Sequence, residues 1–501
     1  MMTVNQKCNA LQAIIGIHAH ANNTSDKVFG VMSRLGVSTS VGTTHCAVDS
    51  LSVDVDGAIL ELGQSLTAAW AYDNLEIDLK SAKFTREASM AASLKHLTSA
   101  LVFPLPAGTV KEHLRVSEEL WQQSRLNDEL PDDRPGLAPL PDWRNLSRIH
   151  LEHRHYDGSG MLWRDRWNAW KFLHNLIHYG PLYFRKFQKQ LQDPKVIEQI
   201  PLTRTQTIPA CTMDVCNSSV SGNIETLEKL LEQAGVGDSD EVEDPALIKD
   251  MREFVILFHG DLGTGERIAQ AQAQRSIEAT AFRRLQFAIF VFGLFHLKMA
   301  CADAIHRVLI APSESHCDLC SVMAHVGILR PKETGKIGSN QAGFRRTHQV
   351  IEHDGICRRL NSWKELVLER NPSNTDLDVY ALSEPTYEDI ATMANYLAMN
   401  FVARPKDLDE MRSQALEDRD LELENNLVIS QLYLLYEETS YAMNVGDIGR
   451  LELCMEPWAY IFKATGKHKY AAELIKHITN VHFYYKPELR CVCLAWHICV
   501  T

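Results

Sequence analysis

Apolar residues recur at helical spacing near the start of the chain. Leu11, Ile14, Ile15 and His18 predict a helix over residues 9–20, and Val28, Val31, Met32 and Leu35 share one face of a second over 26–35. Gly36 fits a helix stop and Ser38, Thr39 and Ser40 fit a start, so a third helix is expected from Val41 to Leu51. Helix, Gly-containing turn, helix is the layout of a helix-turn-helix. Between Gly30 and Ala58 the cationic candidates are Arg34 and His45, which favours a packed helical hairpin over a DNA-reading one.

The pattern then becomes extended. Thr67–Asp78 reads as a strand whose end carries Asp73, with a turn at Asp73-Asn74 as the alternative, and Leu97–Phe103 as a strand that pairs with it and is stopped by Pro104 and Pro106. Asn127–Asp142, rich in Pro and Asp, reads as a linker. Trp163, Trp167 and Trp170 follow at helical spacing and are expected in a core. Asn223–Gly235 reads as an amphipathic helix. Phe254-Val-Ile-Leu-Phe-His-Gly-Asp261 is a short apolar strand that delivers a bare carboxylate to its end. A helix over Glu266–Arg284, a strand over Phe287–Leu294 and a helix opening near His296 come next. From Glu384 the chain is helical, with one long or broken helix over Asp407–Asn444 and another after Gly446-Asp-Ile-Gly-Arg450.

These elements predict an α/β fold with large helical insertions. The expected divisions are an N-terminal helical region (1–64), an α/β core (65–310) carrying an aromatic-rich insertion at 143–235, and a mainly helical region (311–501) that completes the core.

Composition narrows the setting. Of 501 residues, 45% are hydrophobic and 23% charged, the balance of a soluble globular protein. No apolar run reaches the roughly 18 residues of a membrane span, and the first residues lack the layout of a secretory signal. Twelve cysteines without framework spacing fit reduced thiols in the nucleus or cytoplasm. A net charge of −13 excludes a broadly attractive field for nucleic acid, so any DNA contact must be local.

Several patterns are weak carriers of chemistry. Gly260, Gly263 and Gly265 match neither G-x-G-x-x-G nor G-K-[ST], so a turn is expected, with a nucleotide-binding enzyme as the minor alternative. His174 and His178 share a helix face, as a two-His metal site would, but no Glu adjoins His174. Cys317 and Cys320 form one C-x-x-C. No second pair at zinc spacing follows among Cys357, Cys454, Cys491, Cys493, His497 and Cys499.

The acids carry more. A strand reaching Asp73, a strand ending in Asp261 and a later acid-bearing helix occur in the order of an RNase H-like nuclease or transposase. Such a core holds divalent metal between carboxylates to cleave phosphodiesters. The expected ligands are Asp73, Asp261 and Asp447, with Glu452, Glu438 or Glu437 as substitutes for the third and His296 as an auxiliary. Mg²⁺ or Mn²⁺ is the expected ion, because hard cations take oxygen ligands, and DNA is the expected partner. Asp447 also fits an N-cap. The competing class is a non-catalytic scaffold that binds DNA or protein.

Short segments across the chain carry a resemblance. They include Asn9-Ala-Leu-Gln-Ala13, Ala71-Tyr-Asp-Asn74, His96-Leu-Thr-Ser99, Gly180-Pro-Leu-Tyr-Phe184, Gln199-Ile-Pro201, His259-Gly-Asp-Leu262, Phe295-His-Leu297 and Gly446-Asp-Ile-Gly-Arg450. In these the chain resembles the domain-of-unknown-function family 6589, abundant in mushroom-forming fungi. The resemblance implies no established reaction, and a transposon origin is the expectation it raises. Members continue past the Trp496 region with polar and acidic segments, so it also implies a shortened C-terminus, without any catalytic acid lying there.

Overall fold

The structure, a computed structural model, describes residues 10–78, 94–127, 143–154, 158, 160–201, 203–241, 244–246, 248–339 and 342–496. Most of the expected linker after Asn127, together with His155, His497 and Cys499, lies outside the described residues. The chain divides into two compact units, residues 1–137 with 205–291 and residues 138–204 with 292–501. Helices dominate; they flank a small five-stranded mixed sheet, and a two-stranded sheet pairs Val236–Gly237 with Lys249–Asp250. This corrects the balance of the expected α/β fold, in which the helices were insertions.

The sheet unit opens with helices Ala10–Ala21, Asp26–Arg34 and Val41–Gln64. Ser40 caps the third through its side chain, which accepts from the Thr43 N–H at 3.1 Å. That helix runs well past Leu51 because Val55, Ile59 and Leu62 pack on the sheet core. Gly63 lets it approach the next layer, since a Cβ there would lie 2.5 Å from that of Ala234.

Five strands follow in the spatial order Ile208–Pro209, Leu94–Pro104, Ala68–Asp78, Ile256–Gly260, Ala288–Phe292. Ala68–Asp78 pairs antiparallel with Leu94–Pro104 and parallel with Ile256–Gly260, in a register that sets Ala71 against His259. Trp70 and Tyr72 enter the core with Phe258, Leu227, Leu230 and Ile268. The period-two alternation of a strand therefore turns Ala71 and Asp73 to the other face. Ile256–Phe258 is buried throughout, which is why it reads as a continuous apolar run rather than an alternating one.

The helical unit is built from Trp163–Tyr179, Leu294–Leu309, Phe344–Arg370, Tyr387–Asn400, Leu421–Val445, Ile448–Ala464 and His468–Thr479, with shorter pieces between. Phe172, Leu176, Phe184, Trp363, Leu366, Ile390, Leu397 and Leu434 form its main apolar cluster. Trp167 packs its ring 4.9 Å from both Trp170 and Tyr441, so the aromatic stripe is core, as expected. Gly446 ends Leu421–Val445 in the left-handed conformation (φ 74°), and Asp447 at once caps the next helix. Among the described residues no helix is long and apolar enough to cross a membrane.

Candidate metal centre

Three elements of the helical unit bring together one acid and two histidines. Glu452 lies in the second turn of Ile448–Ala464, facing inward, and its side chain is fully buried. His150 follows the short helical turn Trp143–Arg148 and sits at φ 50°, a left-handed value that histidine adopts more readily than most residues. Its neighbours Leu146 and Ile149 are buried and anchor the turn. His482 lies in the π-turn Asn480–Tyr484, which extends helix His468–Thr479. Single π-turns of this kind recur at functional sites because the extra residue redirects a side chain.

His150 Nε2 is 2.7 Å from Glu452 Oε2, and His482 Nε2 is 2.7 Å from Glu452 Oε1. The two rings stand 6.0 Å apart, nearly perpendicular. Burial alone would push the Glu452 carboxyl upward. The hydrogen bonds and charges of the two imidazoles outweigh that and hold it at about 2. Glu452 is thus an ionised carboxylate throughout the ordinary pH range.

These donors suit a metal ion. One nitrogen from each histidine and a Glu452 oxygen lie within 4.8 Å of one another, the one such group of three among the described residues. The two 2.7 Å N···O contacts would each lengthen by about half an ångström to reach the roughly 3.3 Å that separates tetrahedral ligands bound at about 2.0–2.2 Å. Coordination would place each imidazole in the tautomer protonated at Nδ1, which links binding to proton release. Two imidazoles and one carboxylate leave further coordination positions open to water or substrate.

The other acids expected from the sequence have different surroundings. Asp447 is 1% exposed and fully engaged. Its carboxylate accepts from the backbone N–H groups of Ile197, Glu198 and Arg450 and from Arg450 Nε at 3.1–3.3 Å. It fastens residues 197–198 to the helix that carries Glu452. Glu438 pairs with Arg450 at 2.9 Å and Glu437 with Arg359 at 2.7 Å, both buried. His296 is half-buried on the first turn of Leu294–Leu309, its ring 6.2 Å from that of Phe295.

In the sheet unit, Asp73 is exposed and accepts from the Asn74 N–H at 2.8 Å. Asp261 caps helix Leu262–Gln274, accepting from the Thr264 N–H at 2.7 Å. The capped helix therefore starts four residues earlier than the expected Glu266. Each acid stands two residues beyond the Ala71–His259 pair on parallel neighbouring strands. Burial is the main cause that raises the Tyr72 phenol, and the charge of Asp261 adds to it.

Among the expected candidates, then, Glu452 is the one found in a described group that could hold a metal ion. In the sequence His150 is one of several histidines near the tryptophans, beside His153, His155, His174 and His178, and His482 carries no local signal. Some 300 residues separate His150 from Glu452, so no spacing motif could join them. His174 and His178 stack ring on ring at 4.3 Å. Cys317 and Cys320 are exposed free thiols.

A mainly helical protein with a buried His–Glu–His donor set is the class that fold and site define. The chain belongs to the Family of unknown function (DUF6589), whose model matches residues 143–500. The match includes all three donors and the strand leading to Asp261. The resembling segments at Asn9, Ala71 and His96 precede it. No curated protein and no solved structure matches the chain.

Proposed function

We propose that this protein is a divalent-metal-dependent hydrolytic enzyme centred on His150, Glu452 and His482. The observation that carries the reading is the convergence of two imidazoles and one buried, ionised carboxylate from three separate elements. An ion held there would supply Lewis acidity. Two nitrogen donors favour Zn²⁺ or Fe²⁺ over Mg²⁺, which prefers oxygen.

A second reading rests on the sheet unit. The strand carrying Asp73 and the strand leading to Asp261 are parallel hydrogen-bonded neighbours, as two metal-binding acids of an RNase H-like core would require. On this reading the protein is a transposase-derived nuclease acting on DNA with Mg²⁺ or Mn²⁺.

One experiment separates the two. The full chain is assayed for cleavage of single- and double-stranded DNA with Zn²⁺, Mn²⁺ or Mg²⁺, alongside Glu452→Gln and Asp261→Ala, with metal binding followed by calorimetry. Loss of metal binding and cleavage in Glu452→Gln alone supports the helical centre. Loss of cleavage in Asp261→Ala alone supports the sheet. Absence of both metal binding and cleavage in the parent overturns both readings in favour of a non-catalytic scaffold for DNA or protein.

A further inference from the structure

A second carboxylate stands beside the triad on its solvent side. Glu198 Oε2 lies 3.7 Å from His150 Nε2 and 3.5 Å from Arg490 Nη2. Glu452 is fully enclosed, whereas the Glu198 and Arg490 side chains are 41% and 33% exposed. Exposure thus rises from Glu452 through His150 to Arg490 and Glu198.

Backbone contacts fix Glu198 in this place. The Ile197 and Glu198 N–H groups donate to the Asp447 carboxylate, and the Gly449 N–H donates to the Glu198 carbonyl at 3.2 Å. The Ile200 N–H donates to the Gly446 carbonyl at 2.9 Å, and Arg450 Nη2 donates to the Lys195 carbonyl at 2.5 Å. Gly449 is needed for this approach, because a Cβ there would come within 2.9 Å of Glu198 Cβ and N. The Gly446–Arg450 turn is therefore a clamp that holds one acid at the edge of the centre while its own helix supplies the other. A glutamate serving only solubility needs no such fastening.

Arg490 supplies the second half of the argument. Among the described residues its guanidinium meets Glu198 through one long contact, which leaves most of a five-donor fork for an anion. A planar fork matches phosphate oxygens in pairs. A neutral ester would gain nothing from it.

We infer that Glu198 and Arg490 form the substrate-facing side of the His150–Glu452–His482 centre and that the substrate is a phosphate ester. This rests on the hydrolytic reading proposed above. Arg490 pairs with the phosphate charge. A water oxygen forms a bond to phosphorus, the bond from phosphorus to the leaving alkoxide breaks, and the water's proton passes to Glu198. Glu198 then returns the proton to the alkoxide, releasing an alcohol and the hydrolysed phosphate.

The test uses the full chain with Zn²⁺ or Mn²⁺ added, bis(p-nitrophenyl) phosphate as the charged probe and p-nitrophenyl acetate as the neutral one. Glu198→Gln should bind metal within about threefold of the parent, yet lose at least about 100-fold in kcat together with the acidic limb of the pH–rate profile. Glu198→Asp should recover part of both. Arg490→Ala should raise KM for the phosphate diester at least about tenfold and leave the acetate unchanged, with partial rescue in Arg490→Lys. Parent-like kcat and pH profile in Glu198→Gln overturn the role of Glu198. A parent that binds metal but hydrolyses the acetate and not the diester overturns the substrate class. Metal binding with no hydrolysis of either probe overturns the inference and leaves the centre intact, whereas a parent that binds no metal removes the centre itself.

Discussion

The two units keep their charge in different places. Among the described residues, the sheet unit buries one carboxylate, Asp238, which faces Arg252 at 3.5 Å. The helical unit buries seven: Asp165, Asp354, Glu424, Glu437, Glu438, Asp447 and Glu452. The sheet unit buries neutral polar groups such as Thr98, Asn217, Asn223 and Thr226 beside its apolar core, and so takes fewer charges out of water. The helical unit has ion pairs threaded between its helices, and each enclosed charge persists only because a partner and further hydrogen bonds offset its lost hydration. An apolar core needs only shape. An ionic interior fixes which helix faces which, and so can aim side chains from distant parts of the chain at one point.

Removing a buried cation is the strongest way to break this contrast. Arg450 is 4% exposed and holds Glu438, Asp447 and the Lys195 carbonyl together. Arg450→Ala would leave two buried carboxylates without their guanidinium and is expected to cost about 3–5 kcal/mol. Asp73→Ala, on the exposed face of the sheet unit, should stay within about 0.5 kcal/mol. Guanidinium unfolding followed by tryptophan fluorescence reads the difference, since Trp70 and Trp121 lie in the sheet unit and Trp163, Trp167, Trp170, Trp363 and Trp458 in the helical unit. Equal, small shifts in the two variants would mean that the ion pairs are ornamental.

Acid should act on the same contrast with somewhat smaller effect. Glu452 is held at about 2 against an ordinary 4.5, a depressed value. Its contribution is present in full above about 4.5. Below that the unfolded chain takes up a proton that the native carboxylate refuses, and the contribution is lost as pH falls toward 2. The shift corresponds to roughly 3 kcal/mol across this window. Glu452→Gln should therefore flatten the stability–pH curve between pH 5 and 2 by about that amount. Carboxylates common to both proteins cancel in the difference. Parallel curves for parent and variant would refute the assignment.

The same contrast explains what could be read from the sequence. The strands around Asp73 and Asp261 were legible because a two-residue period and a short apolar run are local signals. Their pairing was implied by their order. The Gly446–Arg450 turn was legible as a helix boundary, and Asp447 as a cap. What the cap holds was not: its partners Ile197 and Glu198 lie some 250 residues earlier. Glu452 was visible as one acid among several, while His482 sits in a π-turn that no apolar periodicity marks. A site assembled by ion pairs between helices leaves no spacing to count. The aromatic stripe at Trp163–Trp170 was legible for the opposite reason, since helical spacing alone fixes one face.

The smallest expected effect bears on Asp261, where capping and chemistry predict different outcomes. Its Oδ1 accepts from the Thr264 N–H, so Asp261→Ala should lose an N-cap worth about 1 kcal/mol. Asn is as good a cap as Asp, and Asp261→Asn should therefore keep stability within a few tenths of a kcal/mol while removing the charge. Thermal unfolding of the two variants measures the cap, and metal-dependent DNA cleavage measures the charge. If Asp261→Asn is as stable as the parent but cleaves nothing, the charge serves chemistry and the sheet unit carries a centre of its own. If Asp261→Ala loses about 1 kcal/mol and both variants cleave at the parent rate, the carboxylate serves the helix, and the acid most conspicuous in the sequence is structural.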